Sequence, residues 1–185
     1  MDILELLDHG YTWTSARIAA VSADDLDAPT PCGLWNLRTL LGHTVDTLTM
    51  LTAVLPRAAA EREAAEGRAG SPTSWPEAMA ELAARSRQGW QDPTVMGRTF
   101  ELPIGTMPGP VMASATLLET VVHGWDISQG TGELAQIPDD LALPVLEFAR
   151  SAISDANRGN SFAADLGIGD TPSEQLVAYL GRKPR

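Results

Sequence analysis

Apolar residues recur along most of this chain at the three- and four-residue spacing that puts them on one face of an α-helix. From Asp2 to about Ala20, Ile3, Leu6, Leu7 and Ile18 make a partial stripe and predict a first helix. Trp35 opens a second, expected over about Asn36 to Ala60, whose stripe is Leu37, Leu41, Thr44, Leu48, Leu51 and Leu55. The stretch from Glu61 to Thr73 is charged and then rich in Gly, Ser and Pro, and reads as an exposed helix end followed by a loop. Ser74-Trp75-Pro76-Glu77 has the pattern of a capping box. It predicts a third helix to about Trp90, with Met79, Leu82, Ala83 and Ser86 facing inward. A fourth spans roughly Val111 to Gln129, its stripe formed by Val111, Ala115, Leu118, Val122 and Trp125, and Gly130-Thr131-Gly132 stops it.

The remaining segments fit the same picture. Asp24 to Gly33 is rich in turn formers. Asp92 to Pro110 holds four prolines and three glycines and cannot be regular helix. It reads as a long ordered loop, with a short extended piece at Thr99-Phe100-Glu101-Leu102, of the kind that can roof a site. A fifth helix is expected from Asp139 to about Ala156, with acids in its first turn, where the helix dipole favours them. Thr171-Pro172-Ser173-Glu174 is a second capping-box pattern. It starts a short last helix with Leu176, Val177 and Leu180 inward and Gly181 as its stop. No internal repeat or low-complexity tract breaks the chain, so residues 1–185 read as one all-α domain.

Composition narrows the function. The formal net charge of −11 argues against a nucleic-acid surface, which needs basic patches. No apolar run approaches the roughly 20 residues that span a bilayer. The N-terminus is acidic, unlike a signal peptide, and the single cysteine, Cys32, permits no internal disulfide. A cytoplasmic protein is expected.

The chemistry centres on Leu117-Leu118-Glu119-Thr120-Val121-Val122-His123-Gly124-Trp125-Asp126. Glu119 and His123 are four apart, so a helix sets them on one face a turn apart. With His43, one of the chain's three histidines, they make a set of two imidazoles and one carboxylate. Such a set suits Zn²⁺ or another first-row divalent ion, Ni²⁺ included, and leaves a coordination position for water or substrate. Each residue also has a plainer reading. The i,i+4 pair can simply stabilise a helix, and His43 can be a half-buried histidine with a hydrogen-bond partner. Asp126 can orient a metal-bound histidine or bond a neighbouring helix. Cys32 can offer a thiol near the ion or be inert, and Trp35 and Trp125 can line a pocket or fill the core. His9 reads as a surface or interhelical histidine. No His-Glu-x-x-His is present, so the usual metalloprotease base is missing.

Thr30-Pro31-Cys32-Gly33-Leu34-Trp35-Asn36-Leu37-Arg38-Thr39-Leu40-Leu41-Gly42-His43 resembles a signature of the DinB/YfiT-like proteins. Glu119 to Asp126 resembles the "E-x-x-x-H-G-W-D" motif of their actinobacterial branch related to mycothiol-dependent maleylpyruvate isomerase. Leu180-Gly181-Arg182-Lys183-Pro184 resembles the end of a subfamily of uncharacterised proteins in that branch. The resemblance implies a DinB-like four-helix bundle with additional C-terminal helices, and a divalent metal held by His43, Glu119 and His123. It further implies mycothiol as co-substrate with an electrophilic partner, in a transferase or isomerase-type reaction, and a homodimer. A non-catalytic metal-binding or stress-response module and a thiol-independent zinc hydrolase are the alternatives.

Overall fold

The computed structural model describes residues 1–33, 35–56, 74–159 and 161–184. Four helices form the body: α1 (Ile3–Ala19), α2 (Leu37–Ala53), α3 (Trp75–Trp90) and α4 (Gly109–Gly130). They pack in a ring in which α1 touches α4 and α3, and α2 touches the same two. A pair of shorter helices, α5 (Asp139–Ala152) and α6 (Pro172–Tyr179), pack on each other, and α5 leans on α4 and α1. This is the all-α, DinB-like architecture that the resemblance implies. No described helix is long and apolar enough to cross a membrane.

Local chemistry accounts for the boundaries. Asp2 caps α1 by accepting from the N–H groups of Leu4 and Glu5, and Glu5 closes the box on the N–H of Asp2. Asn36 caps α2 by accepting from the Thr39 N–H at 3.0 Å, so Trp35 precedes the helix instead of opening it. The whole expected stripe of α2, from Leu37 to Leu55, is buried. The helix stops at Ala53, short of the expected Ala60, where the Val54 N–H turns back to the Thr52 carbonyl; residues 57–60 and the loop assigned to 61–73 lie outside the described residues. Ser74 caps α3, and the Thr171 box of α6 is reciprocal, as its sequence predicts. The fifth helix ends four residues early. Asn157 donates to the Ala152 carbonyl and accepts from the Ser154 N–H, closing the helix end with a side chain.

The proline-rich stretch holds more order than a loop. Strands β1 (Thr99–Leu102) and β2 (Gly105–Pro108) form an antiparallel hairpin, pairing Phe100 with Met107. The second strand was not expected, since Gly105 and Pro108 are poor strand residues. Gly109 donates to the Arg98 carbonyl at 2.8 Å, tying the hairpin's base to the start of α4. Glu119 lies ten residues further on, about 15 Å along the helix. The base of this stretch therefore covers the beginning of α4, not the turn that carries Glu119.

From Thr116 to Gln129, α4 is buried nearly all round. Val111 and Ala115 of its expected stripe fall outside the core, while Thr116 and Thr120 fall inside it. Their hydroxyls donate to carbonyls one turn back, Met112 and Thr116, so neither is left unpaired.

Candidate metal centre

Two helices and one loop build the site. His43 comes from the second turn of α2, and Glu119, His123 and Asp126 come from one edge of the buried part of α4. Cys32 and Trp35 lie on the loop that leads into α2. The Thr30 N–H and hydroxyl both donate to the Trp35 carbonyl, and the Cys32 N–H donates to the Thr30 hydroxyl. Gly33 takes φ 63°, the left-handed value this tight turn needs. The loop is thereby a fixed corner against the end of α4.

The three side chains proposed from the sequence meet in the α2–α4 seam. Glu119 Oε2 lies 3.2 Å from His123 Nε2 and 3.8 Å from His43 Nε2. The two rings stand edge to face with centroids 5.0 Å apart. Two donors sharing one ion through bonds of about 2.0–2.1 Å at a tetrahedral angle sit roughly 3.3 Å apart, so this spacing suits a common cation. Neither imidazole gives Oε2 a properly aligned hydrogen bond, and this buried oxygen has no other donor among the described residues. The side chain of His123 is 9% exposed, against 28% for Glu119 and 35% for His43. The seam is therefore closed on the His123 side and accessible on the other.

Asp126 decides which nitrogen His123 presents. It is fully buried, and its Oδ2 lies 3.1 Å from His123 Nδ1. A carboxylate there accepts the Nδ1 proton, leaving the Nε2 lone pair facing Glu119 and His43. Two lone-pair nitrogens and a carboxylate oxygen aimed at one another repel unless a cation stands among them. In the ion-free chain a proton takes that part. Burial opposes charge on His123, but the Asp126 and Glu119 contacts outweigh it and push the imidazole up to about 9. Burial likewise opposes ionisation of Glu119, and the pull of His123 and then His43 holds its carboxyl well below the usual range.

Sequence reasoning missed one residue. Arg182, beyond α6, is buried and grips Asp126 through three contacts of 2.9–3.1 Å, Nε to both oxygens and Nη2 to Oδ2. The burial of Asp126 is thus compensated, and its carboxyl stays below the ordinary value. The signal was the arginine of the Leu180–Pro184 motif, which nothing in the sequence linked to position 126.

Cys32, His123 and Asp126 also bring potential ligand atoms within 4.8 Å of one another. That corner already holds a cation, because Arg182 Nη2 lies 3.8 Å from Cys32 Sγ. Burial, and then Asp126, raise the Cys32 thiol above its ordinary value, against thiolate ligation. Trp35 lies over His43 with ring centroids 4.5 Å apart, forming one wall. Trp125 is a core residue, packed with the other buried side chains. His9 pairs with Asp140 of α5 at 3.2 Å and takes no part in the seam.

Residues 8–128 match the family described as the mycothiol maleylpyruvate isomerase N-terminal domain. The match includes every side chain of the seam and stops short of Arg182. Over 175 residues the chain is 31% identical to two uncharacterized proteins of Mycobacterium tuberculosis, one from strain CDC 1551 / Oshkosh and one from strain ATCC 25618 / H37Rv. Each alignment covers 92% of this chain and 92% of the relative. No solved structure matches it. With the matched segment reaching into all four bundle helices and taking in both histidine motifs, the chain belongs to the mycothiol maleylpyruvate isomerase N-terminal domain family.

Proposed function

We propose that this protein binds a divalent metal ion through His43, Glu119 and His123 and works as an enzyme with mycothiol as co-substrate. The reaction would be of transferase or isomerase type, with a small electrophilic substrate. The observation that carries the metal is the buried Glu119 Oε2, which faces two imidazole nitrogens and receives no well-aligned hydrogen bond among the described residues. Buried acceptors are rarely left in that state. Zinc suits the donor set, and nickel or another first-row ion is compatible with it. Bound there, the ion would lower the pKa of a thiol or water in the remaining position and so supply a nucleophile near neutral pH.

The chain's own groups supply the setting. Asp126 holds His123 in the Nδ1-protonated tautomer, and the bundle core shuts water out behind it. The partly exposed side chains of His43 and Glu119 leave the approach for a thiol or substrate on the opposite side, along Trp35. The thiol part of the reading rests on family membership. It fits a reducing cytoplasm, where the lone cysteine needs no partner.

Metal analysis of the purified protein beside Glu119→Ala tests the ligand set. About one ion per chain is expected in the first and little in the second, whereas equal contents would remove Glu119 from the site. Addition of mycothiol to the cobalt-loaded protein then tests the co-substrate. A sulfur-to-cobalt charge-transfer band is expected. Its absence, together with thiol-free ester hydrolysis, would favour a zinc hydrolase, and its absence with no turnover would favour a non-catalytic metal-binding module.

A further inference from the structure

Arg158 and Arg182 are both buried, and both belong to the chain after α5. Their tasks differ. Arg158 donates to the carbonyls of Ala163 and Tyr179 and so fastens the C-terminal segment to itself. Arg182 spends its fork on Asp126 of α4, 56 positions away, with longer contacts to the Leu180 carbonyl at 3.3 Å and to Cys32 Sγ at 3.8 Å besides. Among the described residues, the other hydrogen-bond partner of the Asp126 carboxylate is His123 Nδ1, at 3.1 Å. A guanidinium that touches both carboxylate oxygens stops the group from rotating about its last bond. The position of Oδ2 determines which ring nitrogen of His123 carries the proton and where Nε2 points.

We propose that Arg182 is a positioning residue of the metal centre, acting through Asp126 to hold His123 with Nε2 turned to the site. The inference rests on the ligand reading above and extends it to a residue outside the matched family segment. Partners one step removed from a metal typically alter its affinity by about 10- to 100-fold. Arg182 stands one step further out, so an effect of about tenfold is expected.

Zinc affinity measured by chelator competition on the full chain tests this. Arg182→Met should lose about tenfold, and Arg182→Lys, which keeps the charge but not the two-point grip, should fall between it and the wild type. Arg158→Met loosens the same segment without touching Asp126. It should lower the melting temperature and leave zinc affinity unchanged. In an Asp126→Asn background, Arg182→Met should cost nothing further. In the metal-free protein at a pH above 9, where the His123 ring is neutral, nitrogen NMR should show Nδ1–H alone in the wild type and a mixture of tautomers in Arg182→Met.

Wild-type affinity in Arg182→Met would overturn the assignment, as would an equal loss in Arg158→Met or additive losses in the double variant. Should Arg182→Met fail to fold, wild-type affinity in Arg182→Lys does the same. A wild type that takes up no zinc would instead defeat the ligand reading. Zinc bound tightly by both wild type and Arg182→Met defeats the present inference alone.

Discussion

At the scale of single residues, the seam is a place where a proton and a metal ion compete. The His123 imidazole titrates near 9 in the ion-free chain, against an ordinary 6.5. Its folded pKa is raised, so its contribution to stability is complete below about 6.5 and disappears as pH rises through 9. Glu119 and Asp126 have depressed folded values, so theirs is present above the ordinary carboxylate range and is lost as pH falls below it. Urea unfolding in the presence of a chelator should therefore show a stability plateau at mid pH and a decline toward pH 9–10. His123→Gln should remove most of the alkaline decline, and its persistence would assign that decline elsewhere. Zinc uptake in a weakly buffered solution should also release protons near neutral pH, because the ligand must give up the one it holds.

At the scale of elements, the roll of α4 about its axis sets where Glu119 and His123 point, and α1 controls that roll. A Cβ on Gly124 would come within 2.5 Å of the Thr14 hydroxyl oxygen and 2.7 Å of the Trp13 ring. Thr14 cannot retreat, since it is buried and donates to the Thr120 carbonyl at 2.8 Å. Gly124→Ala gains roughly 1 kcal/mol in helix propensity and incurs about 1–3 kcal/mol of overpacking. A net loss in denaturant-derived stability is expected, with weaker zinc binding as α4 shifts. A more stable variant would show that the α1–α4 contact yields. The helices themselves were legible because period and caps are local: the Ser74 and Thr171 caps and the full stripe of α2 can be read from neighbouring letters. The hairpin and the all-round burial of α4 were not, because both depend on which surfaces arrive from elsewhere in the chain.

At the scale of the whole molecule, the pairing of distant segments is what the sequence conceals. The proximity of His43 and Glu119 was suggested by chemical kinship between two motifs. Arg182 and Asp126 carried no such cue, since an arginine near a chain's last helix looks like any solvated charge. An ion bound by α2 and α4 together cross-links the bundle and is absent from the unfolded chain. Zinc at about 100 times its dissociation constant should stabilise the fold by about 2.7 kcal/mol. For a chain of this size that raises the melting temperature by roughly 5–10 °C. Calorimetry should find this rise in the wild type and not in Glu119→Ala, and a rise in both would put the ion somewhere other than the seam.

The Asp126–Arg182 link also fixes the electrical balance of the proposed metal-bound form. The pair is internally neutral and the two imidazoles are uncharged, so Glu119 alone offsets a dication. The half-enclosed seam is left with one positive charge in excess, inside a molecule whose overall charge is −11. A neutral guest does nothing for that excess, whereas a thiolate or hydroxide cancels it. Electroneutrality at this one spot favours the deprotonated form of whatever enters, against the field of the surface around it.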